Sequence, residues 1–521
     1  MSLLQSVSVL LALLAPVLAG AQGIQRPGRD AGAGIVVGLE YALLDNLRLV
    51  RGMADAFAET GMPGMKHYVE AVQWGEMQSG PNAPIVFTKF DWFVAEYQRA
   101  GFTELTISLK PHSQWASKQV GRLRSTNAAP KPEFREDFSR WVQAVVERYD
   151  GDGVDDMPGL RWPVRHVEIG NEFSSYQPEP VDEYLATLKL AYAAAHRAFP
   201  QVMVGHAAFL LTPVNMNVAD PRDYDTVWRT TRIVDKTHGL ADIRKVLDHP
   251  ELFDVINLHN LGDPYEIEHL MRWLKYETGQ RGYTKPVIIS DTMPTSYAGW
   301  GGATVCRGLA LAVMIPPARE ADRCRLAEYF TKMVNGDRTT VAWTRGFVAA
   351  DHVQRVVIAA EQGIKLINLS FVADIGFATT KAFRAGSGIG AWGGALRVDY
   401  NSGRVLERYP LYYAIGQLMG YLRDSRSVTR VPMPDPRSRV YRIDRPAGPV
   451  IVAWRDPQGV LLPGDGAPAT EADVPATGRQ ATVEAVITSV GQTEPGRTTH
   501  EVNGGQVRIR LTHTPVFVSS R

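Results

Sequence analysis

Short apolar runs rich in β-branched residues alternate with longer segments of helical spacing along most of the chain. The short runs predict eight strands, at residues 34–39, 65–73, 104–109, 164–170, 202–206, 254–259, 286–290 and 365–371. The longer segments predict helices between most of these strands and after the last one, at residues 43–60, 90–100, 132–149, 181–199, 223–248, 265–277, 353–362 and 411–423. Eight strand-then-helix units over about 400 residues predict a (β/α)₈ TIM barrel with insertions.

A doubly wound open sheet would give the same alternation of strands and helices. Such a sheet more often has a glycine-rich phosphate-binding turn after its first strand. Here the first strand ends Gly38-Leu39-Glu40-Tyr41, which is not a turn of that kind. The barrel is therefore the preferred interpretation.

The pattern changes after residue 423. Short alternating runs, broken by Pro, Gly and Asp, follow at residues 440–443, 450–454, 482–488, 506–511 and 516–519. They predict a small antiparallel, sandwich-like β domain over residues 424–521, after a barrel over residues 22–423.

Two connections inside the barrel region are too long to be plain loops. Residues 291–363 carry Trp300, Trp343 and both cysteines, and we expect them to form an elaborated lid. Residues 373–409 contain a glycine-rich run with Trp392, and we expect a flexible, aromatic loop there.

The N-terminus reads as a targeting segment. Residues 1–21 carry no charge, and an apolar run is followed by Ala19-Gly20-Ala21, an A-x-A-like cleavage site. This indicates a signal peptide and export to the periplasm or the extracellular space, although the usual positive n-region is missing. A retained anchor or a buried N-terminal helix are the alternatives. No other apolar stretch is long enough to span a membrane, so we expect no membrane association of the mature chain.

The charge and the cysteine content restrict the possible partners and cofactors. Lys plus Arg is 56 and Asp plus Glu is 55, a net charge of +1, which gives no electrostatic argument for a nucleic-acid partner. Cys306 and Cys324 either form a disulfide in an oxidising compartment or remain two buried thiols. Their spacing matches no metal site. The sequence predicts neither a metal nor an organic cofactor, and the oligomeric state stays open.

Carboxylates at two predicted strand ends carry the chemistry. In a parallel barrel, reactive side chains lie where the strands end at the C-terminal face. The fourth strand ends with Asn171-Glu172, and the seventh ends with Ser290-Asp291. Two carboxyl groups across one pocket are what glycosidic cleavage requires, since one protonates the leaving oxygen and the other attacks or stabilises the anomeric carbon.

Several motifs together resemble the clan A glycoside hydrolases, retaining (β/α)₈ enzymes, over most of residues 34–423. Residues 105–117 resemble their third strand, residues 138–149 the helix before the fourth strand, residues 167–172 the acid/base motif, residues 254–259 the sixth strand, and residues 409–418 the eighth helix. The C-terminal β domain resembles that of xylosidase-like and arabinofuranosidase-like members. The resemblance implies an oligosaccharide or polysaccharide as the partner.

The resemblance also implies roles for single residues. Glu172 would be the general acid/base, Asn171 the contact to the sugar 2-hydroxyl, and His259 a neighbour of the nucleophile. His112 and Trp115 would face the substrate. The clan's nucleophile is a Glu, whereas this chain has Asp291 at that position.

The shorter side chain of Asp291 leaves three outcomes. It withdraws the carboxylate by about 1–1.5 Å unless the backbone advances, which moves the carboxyl separation from the retaining range of about 5–5.5 Å toward the inverting range of about 6.5–9.5 Å. The chain is then a retaining enzyme with Asp291 as nucleophile, an inverting enzyme with Asp291 as general base, or a barrel that binds sugar without cleaving it. The eighth strand differs too, with Phe371 where a Trp is common.

The remaining candidates have structural alternatives. Lys66 and His67 on the second strand either face the pocket or belong to a buried ion pair. His112 and Trp115 could instead pack under the third loop, and His259 could be a core imidazole. Aromatic rings that could stack on a sugar are those of Trp300, Trp343 and Trp392. Glu168, deeper in the fourth strand, is interpreted as structural.

Overall fold

The fold is taken from a computed structural model of the chain. It describes residues 34–68, 72–118, 128–176, 179–211, 218, 220–226, 238–294, 320–370, 373–374, 392–466 and 468–520. The predicted signal peptide, Trp300, Cys306 and Phe371 lie outside these residues, so the predictions on them stay predictions.

Eight parallel strands close into a barrel in chain order, which confirms the predicted fold class. They are β1 (Val36–Ala42), β2 (Gly64–His67), β3 (Glu104–Leu109), β4 (His166–Glu172), β5 (Met203–Leu210), β6 (Ile256–Asn260), β7 (Val287–Thr292) and β8 (Leu366–Leu369). Each overlaps a predicted strand. Almost every strand residue is buried, as expected for strands that are covered by side chains inside and helices outside.

Helices surround the barrel. They are α1 (Leu47–Ala58), α2 (Thr88–Arg99), α3 (Arg135–Glu147), α4 (Val181–Ala198), α5 (Leu240–Leu247), α6 (Glu266–Gln280), α7 (Glu320–Val334), α8 (Arg338–Glu361) and α9 (Pro410–Leu422). Short helical turns lie at Trp74–Met77, Phe173–Tyr176, Pro132–Phe134, Pro221–Asp223 and Pro250–Leu252. Helix α1 illustrates the local physics: Asn46 caps it by accepting from Leu49 N at 3.0 Å, and its apolar face is buried around Met53 and Phe57.

The lid predicted for residues 291–363 is wrong for the part that the structure describes. Residues 320–334 and 338–361 form α7 and α8, and α8 lies between β7 and β8 in chain order. Trp343 therefore lies on a helix rather than on a loop. The prediction failed because α8 is buried on nearly all sides from Thr344 to Ala359, so its sequence lacks the polar face that marks a surface helix.

The C-terminal region consists of antiparallel sheets. A six-stranded sheet has the order β11-β12-β13-β18-β15-β16, a second sheet pairs β14 with β17, and a small β9-β10 pair precedes α9. The strands are β9 (Leu396–Val398), β10 (Val405–Arg408), β11 (Ser427–Arg430), β12 (Ser438–Asp444), β13 (Val450–Arg455), β14 (Thr470–Pro475), β15 (Gln480–Ala485), β16 (Arg497–Glu501), β17 (Gln506–Leu511) and β18 (Val516–Ser520). Apolar residues of both larger sheets share one core. The antiparallel β region predicted after the barrel is confirmed.

Polar and aromatic contacts join this region to the barrel. Trp454 of β13 donates from its indole nitrogen to the Tyr265 hydroxyl at 2.9 Å, and its ring stacks on Tyr441. Glu268 at the start of α6 forms ion pairs with Arg430 and Arg439. The two parts are therefore packed against each other through buried contacts.

The structure bears on two further expectations from the sequence, which concern membrane-spanning helices and the cysteines. Among the described residues, no helix combines the length and the hydropathy needed to cross a bilayer. Cys324 is disulfide-bonded, and Cys306 is the only other cysteine of the chain. The alternative of two buried free thiols is wrong, because Cys324 is bonded and exposed.

Candidate active site

Strand β7 carries a β-bulge just before Asp291. Leu258 of β6 lies opposite Ile289, whereas the next residue of β6, His259, lies opposite Asp291, which makes Ser290 the extra residue. In a regular strand, consecutive side chains point to opposite faces. Here Ser290 Oγ lies 3.0 Å from His259 Nε2, and a carboxylate oxygen of Asp291 lies within 4.8 Å of the same imidazole. The bulge therefore brings two consecutive side chains to one site.

Strand β4, which carries Glu172, has a similar irregularity. Between Ile169 and Glu172 it contains one residue more than the facing stretch of β5. Gly170 in this stretch has φ +89°, a backbone conformation in which a residue with a side chain would be strained. Its carbonyl accepts a hydrogen bond from Ser108 Oγ at 3.1 Å. The glycine allows the backbone to turn just before the carboxylate that ends the strand.

A third bulge, at the end of β1, brings a tyrosine into the site. Tyr41 has φ +74°, which is unusual for a bulky side chain and is found most often at functional positions. Its ring stacks on Tyr68 with 5.0 Å between centroids. Burial, together with the nearby charge of Asp291, raises the pKa of Tyr41 well above its ordinary value. Tyr41 therefore stays protonated beside the carboxylates.

Glu172 and His259 form a direct hydrogen bond in the barrel mouth. His259 Nδ1–H donates to Glu172 Oε1 at 2.9 Å, and both side chains are buried. His259 Nε2 contacts Ser290 Oγ, which gives carboxylate, imidazole and hydroxyl the connectivity of an acyl-transfer triad. Ser290, however, has no exposed surface, and its hydroxyl lies 3.5 Å from Lys66 Nζ. A substrate carbonyl could not reach it, so this geometry does not support acyl transfer.

Asp291 lies opposite Glu172 across the mouth. One carboxylate oxygen of each lies within 4.8 Å of the other. Ser370, the residue after β8, donates from its hydroxyl to Asp291 Oδ1. Burial raises the pKa of Asp291, while the charge of His259 and the hydrogen bond from Ser370 counteract that rise. The two carboxyl groups therefore face each other at close range in a low-dielectric pocket.

A buried charge cluster lies among the same strands. Lys66 Nζ lies 2.9 Å from Glu168 Oε2 and 3.1 Å from Glu40 Oε1, and all three side chains are at most 2% exposed. One ammonium cannot balance two carboxylates. Burial and the charge of Asp291 raise the pKa of Glu40 well above its ordinary value. For Glu168, burial acts in the same direction, but the charge and the hydrogen bond of Lys66, the charge of His259 and the hydrogen bond from Ser290 together outweigh it and lower the pKa. We conclude that Lys66 and Glu168 are ionised and Glu40 is neutral.

The second strand thus provides a buried ion pair, the alternative that the sequence left open for Lys66. Its neighbour His67 is a structural imidazole. His67 Nδ1–H donates to Tyr68 O at 2.8 Å, and Nε2 accepts from Ser108 N at 3.0 Å. Burial lowers its pKa to about 4, so the ring is neutral and both nitrogens are satisfied.

The structure brings together Glu172, His259 and Asp291, which were predicted on the fourth, sixth and seventh strands. Asn171 lies beside Glu172 in the sequence. The side-chain oxygen of Asn171 is buried and finds no hydrogen-bond partner in the described part of the chain. His112 follows β3 and keeps some exposed surface. Trp115 instead belongs to an aromatic cluster: its indole N–H donates to Gln78 O at 2.8 Å, and its ring packs edge-on against Trp74.

Two of the tryptophans predicted on the long connections, Trp343 and Trp392, are described, and both pack against other parts of the chain. Trp392 is 4% exposed and belongs to the main hydrophobic core. Trp343 stacks on Phe347 and lines a cavity of about 450 Å³ between α8 and the C-terminal sheets, together with Leu461 and His513. No residue of the barrel mouth lines that cavity. Roles for these rings in substrate binding remain predictions.

Two groups of side chains come close enough to share a cation, as far as the described residues go. One consists of Glu172, His259 and Asp291, and the other of Glu147, Asp150 and Asp152. In the first group, His259 already bonds Glu172 and Ser290. In the second, Asp150 Oδ1 accepts from Asp152 N within the loop. We assign no metal ligands here.

Sequence reasoning missed Tyr41, Glu40, Ser290 and Ser370 as members of this site. Each lies at or near the end of a barrel strand, so a search of all strand ends would have included them. The alternation of a regular strand allows either Ser290 or Asp291 to face the pocket, but not both. Only knowledge of the bulge resolves that conflict.

Comparison with known proteins supports the fold. No protein-family model matches the sequence, and no curated protein does so. Among solved structures, a monomeric β-xylosidase from Caulobacter crescentus CB15 matches with a TM-score of 0.55 at 13% identity, over 96% of this chain and 97% of that chain. A family 39 glycoside hydrolase from the gut symbiont Bacteroides cellulosilyticus WH2 matches with a TM-score of 0.54 at 13% identity, over 93% and 81%.

An α-L-arabinofuranosidase from Thermotoga maritima, in complex with arabinose, matches with a TM-score of 0.51 at 12% identity, over 89% of each chain. At these identities the likeness concerns the fold. The structural resemblance to clan A glycoside hydrolases that the motifs indicated is confirmed: this chain has the barrel and the C-terminal β region of those enzymes.

Proposed function

We propose that the chain is a retaining glycoside hydrolase that cleaves O-glycosidic bonds of a carbohydrate. In this proposal Glu172 is the general acid/base and Asp291 the nucleophile. The fold likeness to a β-xylosidase, a family 39 glycoside hydrolase and an arabinofuranosidase supports carbohydrate as the substrate class.

The close approach of the two carboxylates carries this proposal. Their nearest oxygens lie within 4.8 Å. Retaining pairs stand about 5–5.5 Å apart, whereas inverting pairs stand about 6.5–9.5 Å apart to leave room for a water molecule. The separation therefore favours direct attack by Asp291 over activation of a water.

The bulge in β7 supports the proposed use of an aspartate where the clan has a glutamate. It moves Asp291 into register with His259, whose imidazole bonds Glu172. Without the extra residue, Ser290 would lie opposite His259 and Asp291 would lie one position further along the strand. We infer that the backbone compensates for the missing methylene group by this shift in register.

The proposed reaction has two displacements. In the first, the Asp291 carboxylate attacks the anomeric carbon, the bond to the leaving oxygen breaks, and Glu172 gives its proton to that oxygen. In the second, a water molecule gives a proton to Glu172, and the oxygen of that water displaces Asp291 from the anomeric carbon. The hydrogen bond from His259 to Oε1 fixes the Glu172 carboxyl group, so its other oxygen can carry the proton. Asn171 would bind a hydroxyl of the sugar through its side-chain oxygen, which has no hydrogen-bond partner among the described residues.

The experiment is hydrolysis of an aryl glycoside panel, pentosides first, followed by proton NMR of the first anomeric product. Retained configuration is the expected result. An initial product of inverted configuration would make Asp291 a general base. Failure to cleave any glycoside, with measurable binding that Asp291→Ala leaves unchanged, would leave a carbohydrate-binding barrel without catalysis.

Export is a separate part of the proposal. It is supported by the uncharged apolar segment at residues 1–21 and its A-x-A-like end. The mature protein should begin at or near Gln22 and be recovered outside the cytoplasm. Mass spectrometry of the N-terminal peptide tests this, and an intact Met1 on a membrane-bound form would contradict it.

A further inference from the structure

Ser370 is held rigidly at the end of β8, next to the site. Its backbone N–H donates to Thr292 O at 3.0 Å. Its carbonyl oxygen lies 2.9 Å from His352 Nε2 on α8, and Ser370 itself has no exposed surface. With its backbone fixed on both sides, the residue has only its hydroxyl left to orient. That hydroxyl donates to Asp291 Oδ1.

We propose that Ser370 is a positioning residue for the nucleophile: its hydroxyl fixes the Asp291 carboxylate so that Oδ2 is presented to the anomeric carbon. The inference rests on the proposed function and extends it to a residue of another strand. An aspartate has few side-chain torsions, so one hydrogen bond to Oδ1 is enough to set the direction of the second oxygen. A hydrogen bond to an ionised group is also among the stronger ones.

Charge is the second consequence of this bond. A donor that contacts the ionised form of a carboxyl group stabilises that form. The hydrogen bond from Ser370 accordingly lowers the pKa of Asp291 against the rise that burial causes. The other groups that act on the carboxylate come from other strands of the barrel, and they are His259, Lys66, Glu172, Glu40 and Tyr41. Ser370 acts on the carboxylate through the hydrogen bond that its hydroxyl donates to Oδ1.

The test compares Ser370→Ala with wild type in the pH profile of kcat/KM. Removal of the donor raises the pKa of Asp291, so the acidic limb should move to higher pH, by about one unit. The maximal kcat for glycosylation should fall about tenfold, with a smaller change in KM. Ser370→Cys keeps a weak donor in a similar volume and should give an intermediate limb.

Thr344→Val is the matched control. Thr344 is a fully buried residue on α8 whose hydroxyl bonds Thr340 O at 2.9 Å and contacts Tyr329, away from the barrel mouth. Its loss should change thermal stability without moving the pH limb. A limb that stays in place in Ser370→Ala, or moves equally in Thr344→Val, would overturn the inference.

Labelling separates this inference from the proposed function. Wild type is treated with an activated 2-deoxy-2-fluoro glycoside, and the labelled peptide is identified by mass spectrometry. Absence of a label on Asp291 would defeat the proposed function and the role of Ser370 with it. A label on Asp291 in wild type, combined with an unchanged limb and labelling rate in Ser370→Ala, would defeat the role of Ser370 alone. If Ser370→Ala does not fold, the Ser370→Cys profile decides.

Discussion

The barrel mouth and the C-terminal sheets differ in the regularity of their strands. Strand β17 alternates exposed and buried residues without exception, and it pairs with β14 in unbroken register. At the mouth, β1, β4 and β7 each carry a bulge, a tyrosine has positive φ, and a lysine lies fully buried between two glutamates. The regular region optimises packing, whereas the irregular one brings ionisable groups together.

The irregular mouth lowers the stability of the barrel. Ion pairs taken out of water give little net stability, and breaking one leaves an uncompensated buried charge. The cluster of Lys66, Glu168 and Glu40 limits that cost by keeping one carboxyl group neutral. In the C-terminal region, the two larger sheets share a cluster of apolar side chains instead.

The largest expected effect is on catalysis at the mouth. Glu172→Gln should lower turnover of substrates with poor leaving groups on the order of 10²–10⁴-fold, because their leaving oxygen must be protonated. Substrates with an activated aryl leaving group should lose far less in the first step. Steady-state and burst kinetics on both substrate types measure this, and equal losses would argue against Glu172 as the acid.

A second prediction concerns the two buried glutamates. Glu168→Gln removes the ionised partner of Lys66 and should lower the free energy of unfolding by about 3–5 kcal/mol. Glu40→Gln replaces a carboxyl group that is already neutral, so we expect a change within about 1 kcal/mol at a pH near 4.5, where the unfolded chain has not yet lost most of this proton. Urea denaturation followed by circular dichroism measures both, and similar losses in the two variants would refute the assigned charges.

The raised pKa of Glu40 also predicts how the stabilities of wild type and Glu40→Gln differ as pH changes. The pKa of Glu40 is higher in the folded chain than its ordinary value of 4.5. Above pH 4.5 the unfolded chain therefore releases this proton while the folded chain keeps it, which makes the wild type less stable as pH rises. Glu40→Gln lacks this term. Its stability relative to wild type should increase with pH from about 4.5 upward, and a flat difference would contradict the raised pKa.

A smaller effect is expected in the regular region. Leu511→Ala, in the C-terminal core, should cost about 2–4 kcal/mol of unfolding free energy because it leaves a cavity. The folded variant should keep the kcat/KM and pH profile of wild type, since no catalytic group contacts Leu511. A shifted pH profile would show that the two regions are coupled more tightly than their cores suggest.

The sequence predicted the regular features better than the site. All eight barrel strands and five of the C-terminal strands follow from alternation and β-branched runs. The two carboxylates followed from their place at strand ends. Only the end of helix α8, residues 353–362, was predicted, because the rest of the helix is buried nearly all round. The role of Lys66 stayed open because its partners, Glu40 and Glu168, lie on other strands. The bulge at Ser290 depends on pairing with β6 and β8, which local sequence does not encode.

The most direct test of the central claim is the identity of the covalently labelled residue. Wild type inactivated with an activated 2-deoxy-2-fluoro glycoside, of the sugar that the substrate panel identifies, should carry the glycosyl group on the peptide that contains Asp291. Asp291→Asn should remain unlabelled under the same conditions. A label on a different carboxylate, such as Glu40 or Glu168, would contradict the account, and so would hydrolysis with inverted configuration and no label on any peptide.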